Sequence, residues 1–287
     1  YERNRAVEDK YNCKLNFIEQ KGAWGSHTDF TNTIHNSVVA GDGEYDFVAG
    51  YQAVLVMNIL NGDLMNLYDV PNIQPDAPWW TQAGVDALTY NGKCFEIGGD
   101  ISVSLLEGIN CMFYNKKIAE DFSSPDFYQL VRDGKWTHDK MLEVTKGVYQ
   151  DLDGDGEVSE NDAFGMIHGT ATEIDNYKEA FEIPVTKRGD DGFPEFALKS
   201  EKMVDVIERL DAWVWNAKDV YWGLNIDRPV LQEMFSRGNS LLFNSTLSAT
   251  QNLRDMKDDF GVVPFPKYDE VQEKYLTRVI DGWLHVV

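Results

Sequence analysis

The run YDFVAG, Tyr45–Gly50, is short and nearly all apolar, the pattern of a strand covered on both faces. Helical runs stand on either side of it. In DFTNTIHNSVVAGDG, Phe30, Ile34 and Val38 repeat every four residues on one face, and the glycines end the run. AVLVMNILNGDLMNL is a further helix, stopped at Gly62. Before them, YERNRAVEDKY is polar and helix-prone, and CKLNFIEQ alternates like a strand. The first hundred residues therefore read β/α/β/α, a mostly parallel sheet covered by helices. A length of 287 residues fits one large or two medium domains, and 43% hydrophobic residues suffice for a substantial core.

The rest of the chain keeps the mixed α/β character. GKCFEIGGDIS and GINCMFYNK read as strands, and after Asn115 the chain becomes helical with loops. In GKWTHDKMLEVTKGVYQ, Thr137 is a good N-cap and Asp139 lies in the first turn, where the helix dipole favours an acid. FGMIHG is a strand. SEKMVDVIERLDAWVWNA is a strong amphipathic helix, with Met203, Ile207, Leu210 and Val214 on one stripe. DRPVLQEMFSRG is a short helix opened by Asp227, with Pro229 in its first turn. NSLLFNST, FGVVPFP and TRVIDGWLHVV read as strands.

Charge excludes some partners. With 48 acidic and 26 basic residues the net charge is −22. Such a chain repels polyphosphate and anionic membrane surfaces, so nucleic acid is not expected as a partner. No stretch approaches the roughly 20 apolar residues of a membrane span. No signal peptide is present, so the sequence reads as a mature or trimmed chain. Three cysteines, Cys13, Cys94 and Cys111, make neither a disulfide framework nor a zinc site. Cys94 and Cys111 are close enough in pattern to pair, with buried free thiols the expected state. The aromatic content, 13% with 8 Trp and 13 Tyr, suits stacking on sugar rings, although most of these rings are expected to be core.

DLDGDGEVSEND, Asp151–Asp162, has the spacing of an EF-hand calcium loop. Asp151, Asp153 and Asp155 stand at positions 1, 3 and 5, and Gly156 at position 6 allows the sharp turn. Glu157 at position 7 offers its backbone carbonyl, Val158 at 8 should face inward, and Ser159 at 9 can hold a bridging water. Asp162 at position 12 replaces the usual bidentate Glu. Hard oxygen ligands in this number favour Ca²⁺ over Mg²⁺ or Zn²⁺. One loop with a helix before it and a strand after it points to a structural staple rather than a sensor; the bland alternative is a solvated acidic turn.

The order of segments AGDGEYDFVAGYQAVLVMNILNGDLMNL, YNGKCFEIGGDIS and CMFYNKK resembles the extracellular solute-binding proteins of ABC importers, in the group that includes maltose- and oligosaccharide-binding proteins. The resemblance covers essentially the whole chain, and the acidic loop resembles a calcium staple of Gram-positive members. IGGD stands where many members have proline. The resemblance implies a two-lobed α/β fold of the type II periplasmic-binding-protein kind, with ligand clamped in the cleft by hinge closure. Lobe 1 would hold residues 1–105 with a return segment at 265–287, and lobe 2 residues 106–264. It also implies no catalysis, ABC permease subunits as partners, a monomer, and an extracellular location, either anchored to the cell surface as a lipoprotein or periplasmic.

Ligands of open α/β sheets sit beyond the carboxyl ends of strands. That rule selects Tyr51 and Gln52 after YDFVAG, Asp100 after EIGG, and Thr170 and Glu173 after FGMIHG. It also selects Ser245 and Thr246 after LLFN, with Asn244 beside them, and Asp281 and Trp283 after RVI. Trp24, in the loop after the second predicted strand, is a further stacking candidate. Tyr51 can equally cover a helix end, Trp283 can be core, and Asp281 can be a hinge salt-bridge partner. Trp79 and Trp80 are expected to pack, as are Trp213, Trp215 and Trp222.

A secreted carbohydrate hydrolase is the competing class, but acids are common throughout this chain, and no G-x-S-x-G elbow, HExxH or P-loop occurs. The five histidines are not expected to cluster, and His27 and His35, eight apart on or near one helix, are expected to face outward. A sensory ligand-binding domain would share fold and site. The bound solute is expected to be an oligosaccharide or glycoside, with a peptide or other small solute as the alternative. The opening helix without a strand before it, and the apolar run at the other end, lead to the expectation of an excised piece of a longer protein.

Overall fold

The computed structural model describes residues 2–22, 25–169, 171–223, 226, 228–279 and 282–286. By its contacts the chain divides into two units, Tyr1–Gly98 with Gly282–Val287, and Gly99–Asp281.

In the first unit the helix His27–Ala40 packs its buried Ile34 with Val48 and Leu55. Gly41 ends it at φ 64°, a left-handed cap open to glycine at little cost. Strand β1, Phe47–Tyr51, follows and leads directly into the helix Gln52–Asn61. The two helices are tied by polar groups. Asn58 Nδ2 donates to Thr31 O (3.0 Å) and to Asp63 Oδ2 (2.8 Å), while His35 Nδ1 lies 2.8 Å from Asp63 Oδ1. A second small core gathers Leu67, Val85, Cys94 and Ile97, with Trp80 against it.

Two readings of this unit are corrected. Residues 13–20, CKLNFIEQ, do not form a strand: the segment is exposed and unpaired, with Leu15 N held by Glu8 Oε1 at 2.8 Å. Alternation alone cannot make a strand without a partner edge. GKCFEIGGDIS likewise forms no continuous strand, only single bridge residues at Lys93 (paired with Tyr90), Ile97 and Gly99, and its backbone also serves neighbouring turns; Cys94 O accepts from Leu67 N and Gly98 O from Thr81 N.

The second unit is built on a five-stranded sheet. Its strands are β2 (Asn110–Asn115), β3 (Phe164–His168), β6 (Val220–Trp222), β7 (Ser240–Thr246) and β8 (Phe260–Val263), in the order β6-β3-β7-β2-β8. β4 (Thr186–Arg188) and β5 (Pro194–Phe196) form a separate exposed hairpin. β3 runs parallel to β6 and β7, while β2 runs antiparallel to β7 and β8. β9, Gly282–Val286, belongs to the first unit and pairs antiparallel with β1, Gly50 opposite Trp283. The parallel pairing expected in the first hundred residues is thus found in the second unit, and the first unit pairs its strand with the returning chain end. In TRVIDGWLHVV a strand is described over Gly282–Val286, and Val279 bridges Ile109.

Both faces of the five-stranded sheet are covered, which is why its strands read as continuous apolar runs. One face packs Met112, Met166 and Leu242 against Trp136, Tyr177, Phe181 and the helix Glu201–Leu210. The other packs Phe113, Phe164 and Phe243 against the helix Arg228–Ser236. The expected Asp227 cap of that helix lies outside the described residues. Thr137 caps the helix His138–Thr145 as expected, its side chain accepting from Lys140 N at 3.3 Å.

Of the stripe expected on the amphipathic helix, Leu210 and Val214 are buried and Met203 packs against the core, but Val206 takes the inward place expected for Ile207, which is 53% exposed. The helix continues as a π turn over Asp211–Trp215, which turns Trp213 inward and leaves Trp215 exposed, contrary to its reading as core. The return expected at 265 falls later. Lys267 N donates to Trp136 O (3.0 Å), Trp136 Nε1 to Pro264 O (2.9 Å) and Asn110 N to Arg278 O (3.0 Å), so residues 265–279 pack with the second unit. Cys94 and Cys111 are free, buried thiols in different units.

Candidate ligand-binding site

The parallel strands of the second unit end together. His168 ends β3 opposite Trp222 of β6, β7 runs past its last partner in β3, Phe243, to Thr246, and β2 begins there, Asn110 opposite Thr246. Thr246 is half-buried, and its Oγ1 meets Ser248 Oγ at 2.8 Å. The segment 277–279 crosses the same end. Arg278 O accepts from both Asn110 N and Asn110 Nδ2 (2.9 Å), and Asn110 Oδ1 accepts from Asn176 Nδ2 (3.2 Å). The Arg278 guanidinium lies 3.9 Å from Asp175. Asn110, Asp175, Asn176 and Arg278 are site neighbours that strand-end reasoning did not select. Only pairing knowledge places the start of an antiparallel strand at the carboxyl end of its neighbours.

The selected residues fare differently. Glu173 is buried, and its Oε2 accepts from Gly169 N at 2.7 Å while Oε1 lies 3.3 Å from Arg228 Nε; it braces the turn after β3. Ser245 is buried on the face opposite Asn244, its carbonyl facing Cys111 Sγ. Asp100 is exposed in the turn after Gly99. In the first unit, Tyr51 and Gln52 are half-buried at the end of β1, and Gln52 Nε2 donates to Glu96 Oε1 at 2.9 Å. Glu96, also missed by sequence reasoning, is buried, and burial raises its pKa while the bond from Gln52 opposes the shift. Trp24, Thr170 and Asp281 lie outside the described residues, and for Trp283 only the backbone is described.

Beneath the strand ends the core turns polar. His168 and His138 are fully buried and meet the Trp213 ring edge-on, at 4.9 and 5.4 Å between centroids. Two of the five histidines therefore lie near each other, thirty residues apart in sequence. Burial pushes the pKa of His168 down to about 3, opposed by the adjacent Asn244 amide. It pushes His138 down to about 4, helped by Arg209 and opposed by Asp139 and Asp205. Both rings are therefore neutral at pH 7. The His138 nitrogens, Trp213 Nε1 and Asn176 Oδ1 have no protein hydrogen-bond partner among the described residues. Each buried polar atom left so costs about 1–3 kcal/mol. Burial also lifts the Cys111 thiol to about 12, which makes it a poor nucleophile.

The acidic loop projects from the Gln150–Ala163 bridge. Asp151, Asp153 and Asp155 each bring a carboxylate oxygen within 4.8 Å of the others. Asp162 is buried and ties the loop's two ends, its Oδ1 accepting from Leu152 N (3.2 Å) and its Oδ2 from Ser159 N (3.1 Å). Glu157 is exposed. Val158, expected to face inward, is exposed as well, because the loop is a surface excursion with no core beneath that position. Three hard oxygen donors converge, and that set fits a divalent cation.

No family model matches the sequence, and no curated protein matches it. Solved structures do. A cyclo/maltodextrin-binding protein complexed with maltotetraose matches 99% of this chain at 16% identity and TM-score 0.66. An extracellular solute-binding protein from Staphylococcus aureus in complex with maltose matches 98% at 15% and 0.65. UgpB from Mycobacterium tuberculosis in complex with glycerophosphocholine matches 99% at 12% and 0.60. The fold is therefore that of the ABC solute-binding proteins, mixed α/β throughout. The chain spans about 65% of the length of each of these structures. Among the described residues no helix is long and apolar enough to cross a membrane.

Proposed function

We propose that this chain belongs to the extracellular substrate-binding component of an ABC importer, and that it binds an oligosaccharide or glycoside without turning it over. The observation that carries this reading is the fold itself. Over nearly the whole chain it is shared with proteins solved with maltotetraose and with maltose. The polar strand ends support it, since amide, hydroxyl and guanidinium groups match the mixed donors and acceptors of sugar hydroxyls. Permease subunits are the expected partners, the location is outside the membrane, cell-surface anchored or periplasmic, and the protein acts as a monomer. Titration with maltotetraose and maltose by calorimetry, alongside a reducing-sugar assay, tests it. Heat of binding with no sugar released is the expected result. Glycerophosphocholine, the ligand in one matched structure, is the competing small solute, and its binding in place of the sugars would favour that second reading.

Ca²⁺ in this reading is structural. Asp151, Asp153, Asp155, the Glu157 carbonyl and Asp162 are its proposed ligands, and neutralising their charges would fix the exit of the helix His138–Thr145 to the start of β3. One Ca²⁺ site, abolished by Asp153→Ala, is the expected result of titrating chelator-treated protein.

A further inference from the structure

Two tryptophans stand at the edge of the five-stranded sheet. Trp222 ends β6, the strand at one margin of the order β6-β3-β7-β2-β8, and pairs in parallel with His168 at the end of β3. It is half-buried and packs against the main core. Trp215 closes the π turn and lies against it, ring centroids 5.4 Å apart at 59°. The rings are tilted rather than flat on each other, and Trp215 stays 53% exposed. The same turn tucks Trp213 inside, at 4%. An indole left open to water forgoes a large share of its burial energy. Trp222 supports one side of that ring without covering it.

The position says what such a surface would take. Trp222 stands at the carboxyl end of a parallel strand, the end of the sheet beyond which ligands of open α/β folds lie. Neighbouring strands are about 4.8 Å apart and β3 separates β6 from β7, so Trp222 is about 10 Å across the sheet from Asn244. That distance is longer than one sugar ring. The amide and guanidinium groups of Asn110, Asn244 and Arg278 and the indole pair would therefore meet different rings of one chain. The pair offers flat apolar faces and no charge, which suits the C–H face of a pyranose and not an ion. We propose that Trp215 and Trp222 form an outlying stacking subsite for a pyranose ring and give the site a preference for oligosaccharides over disaccharides. The subsite rests on the saccharide reading above and adds to it the length of sugar that is held.

Calorimetry on the full chain compares maltotetraose with maltose in the unchanged protein, in Trp215→Ala and in Trp79→Ala, the last at another exposed tryptophan (48%), in the first unit. Trp215→Ala should weaken maltotetraose about tenfold or more and maltose by less than about twofold. Trp79→Ala should change neither. Acrylamide quenching gives a second readout that keeps an aromatic ring in place. Maltotetraose should shield tryptophan emission beyond what maltose does, and that extra shielding should vanish in Trp215→Phe. Unchanged maltotetraose affinity in Trp215→Ala, with no extra shielding, would overturn the subsite and leave the saccharide reading standing. Equal weakening of both sugars would overturn the outlying position and with it the length preference. An unchanged protein that binds neither sugar would overturn the saccharide reading, and the subsite with it.

Discussion

The two units spend their apolar residues differently. The second covers both faces of a five-stranded sheet, so that Trp136, Tyr177, Phe113 and Phe243 are wholly buried. Among its described residues the first has one strand pair and two small cores, and leaves Phe17 at 69% and Leu60 at 74% exposed. Stability scales with apolar area removed from water, so the second unit is expected to unfold last and the first to open more readily. The contrast also separates their polar interiors. The second holds two imidazoles whose pKa burial lowers, the first a carboxyl, Glu96, whose pKa burial raises.

The largest expected effect follows from that difference in burial. Trp136→Ala should cost about 3–5 kcal/mol in urea unfolding, as for other large-to-small core changes. Leu60→Ala, at an exposed position, should change stability by less than about 0.5 kcal/mol. Equal costs at the two positions would break the comparison.

Acid should act on the units with opposite sign. His138 and His168 are depressed to about 4 and 3, so the unfolded state binds more protons than the folded state below about pH 6.5. Their contribution is fully present above that pH and is lost as pH falls toward 4 and 3, by about 1.4 kcal/mol per pH unit for each group. Glu96 is raised by burial, so its contribution favours the folded first unit at low pH and is lost as pH rises through its folded value. Amide exchange followed from pH 7 to 4 should show protection falling in β3 and β7 while the residues around Gln52 and Glu96 gain. A uniform loss in both units would contradict this assignment.

Metal removal should sharpen the contrast further. A chelator should lower the melting temperature of the second unit and leave the first unchanged, because Ca²⁺ at a hundredfold excess over its Kd adds about 2.7 kcal/mol. Asp153→Ala should melt at the same temperature with and without chelator. The smallest effect belongs to the first unit: Gln52→Ala removes the bond to Glu96 and should cost about 1 kcal/mol, read by exchange of amides near β1.

Much of this architecture was legible in the sequence where short-range rules decide. β3 and β7 are apolar runs because both their faces are covered, and Thr137 caps its helix through a local bond. Pairing was not legible. CKLNFIEQ has the alternation of a strand yet no partner, and β1 meets β9, more than 230 residues away. The site was half legible for the same reason. Residues just past a strand can be counted from its end, which selects Thr246, but Asn110 and Arg278 join the site only through antiparallel pairing and a crossing segment. The packing of His138 and His168 on Trp213 left no trace in spacing, because His138 opens a helix and His168 ends a strand, and only the fold brings them together.

The account's central claim is capture of a saccharide without chemistry, and one measurement meets it directly. The 287-residue chain is melted in the presence of rising maltotetraose, with scattering and a reducing-end assay on the same samples. The account predicts a melting temperature that climbs with ligand, a smaller radius of gyration, and a constant number of reducing ends. No shift with maltotetraose, or a steady release of new reducing ends, would contradict it.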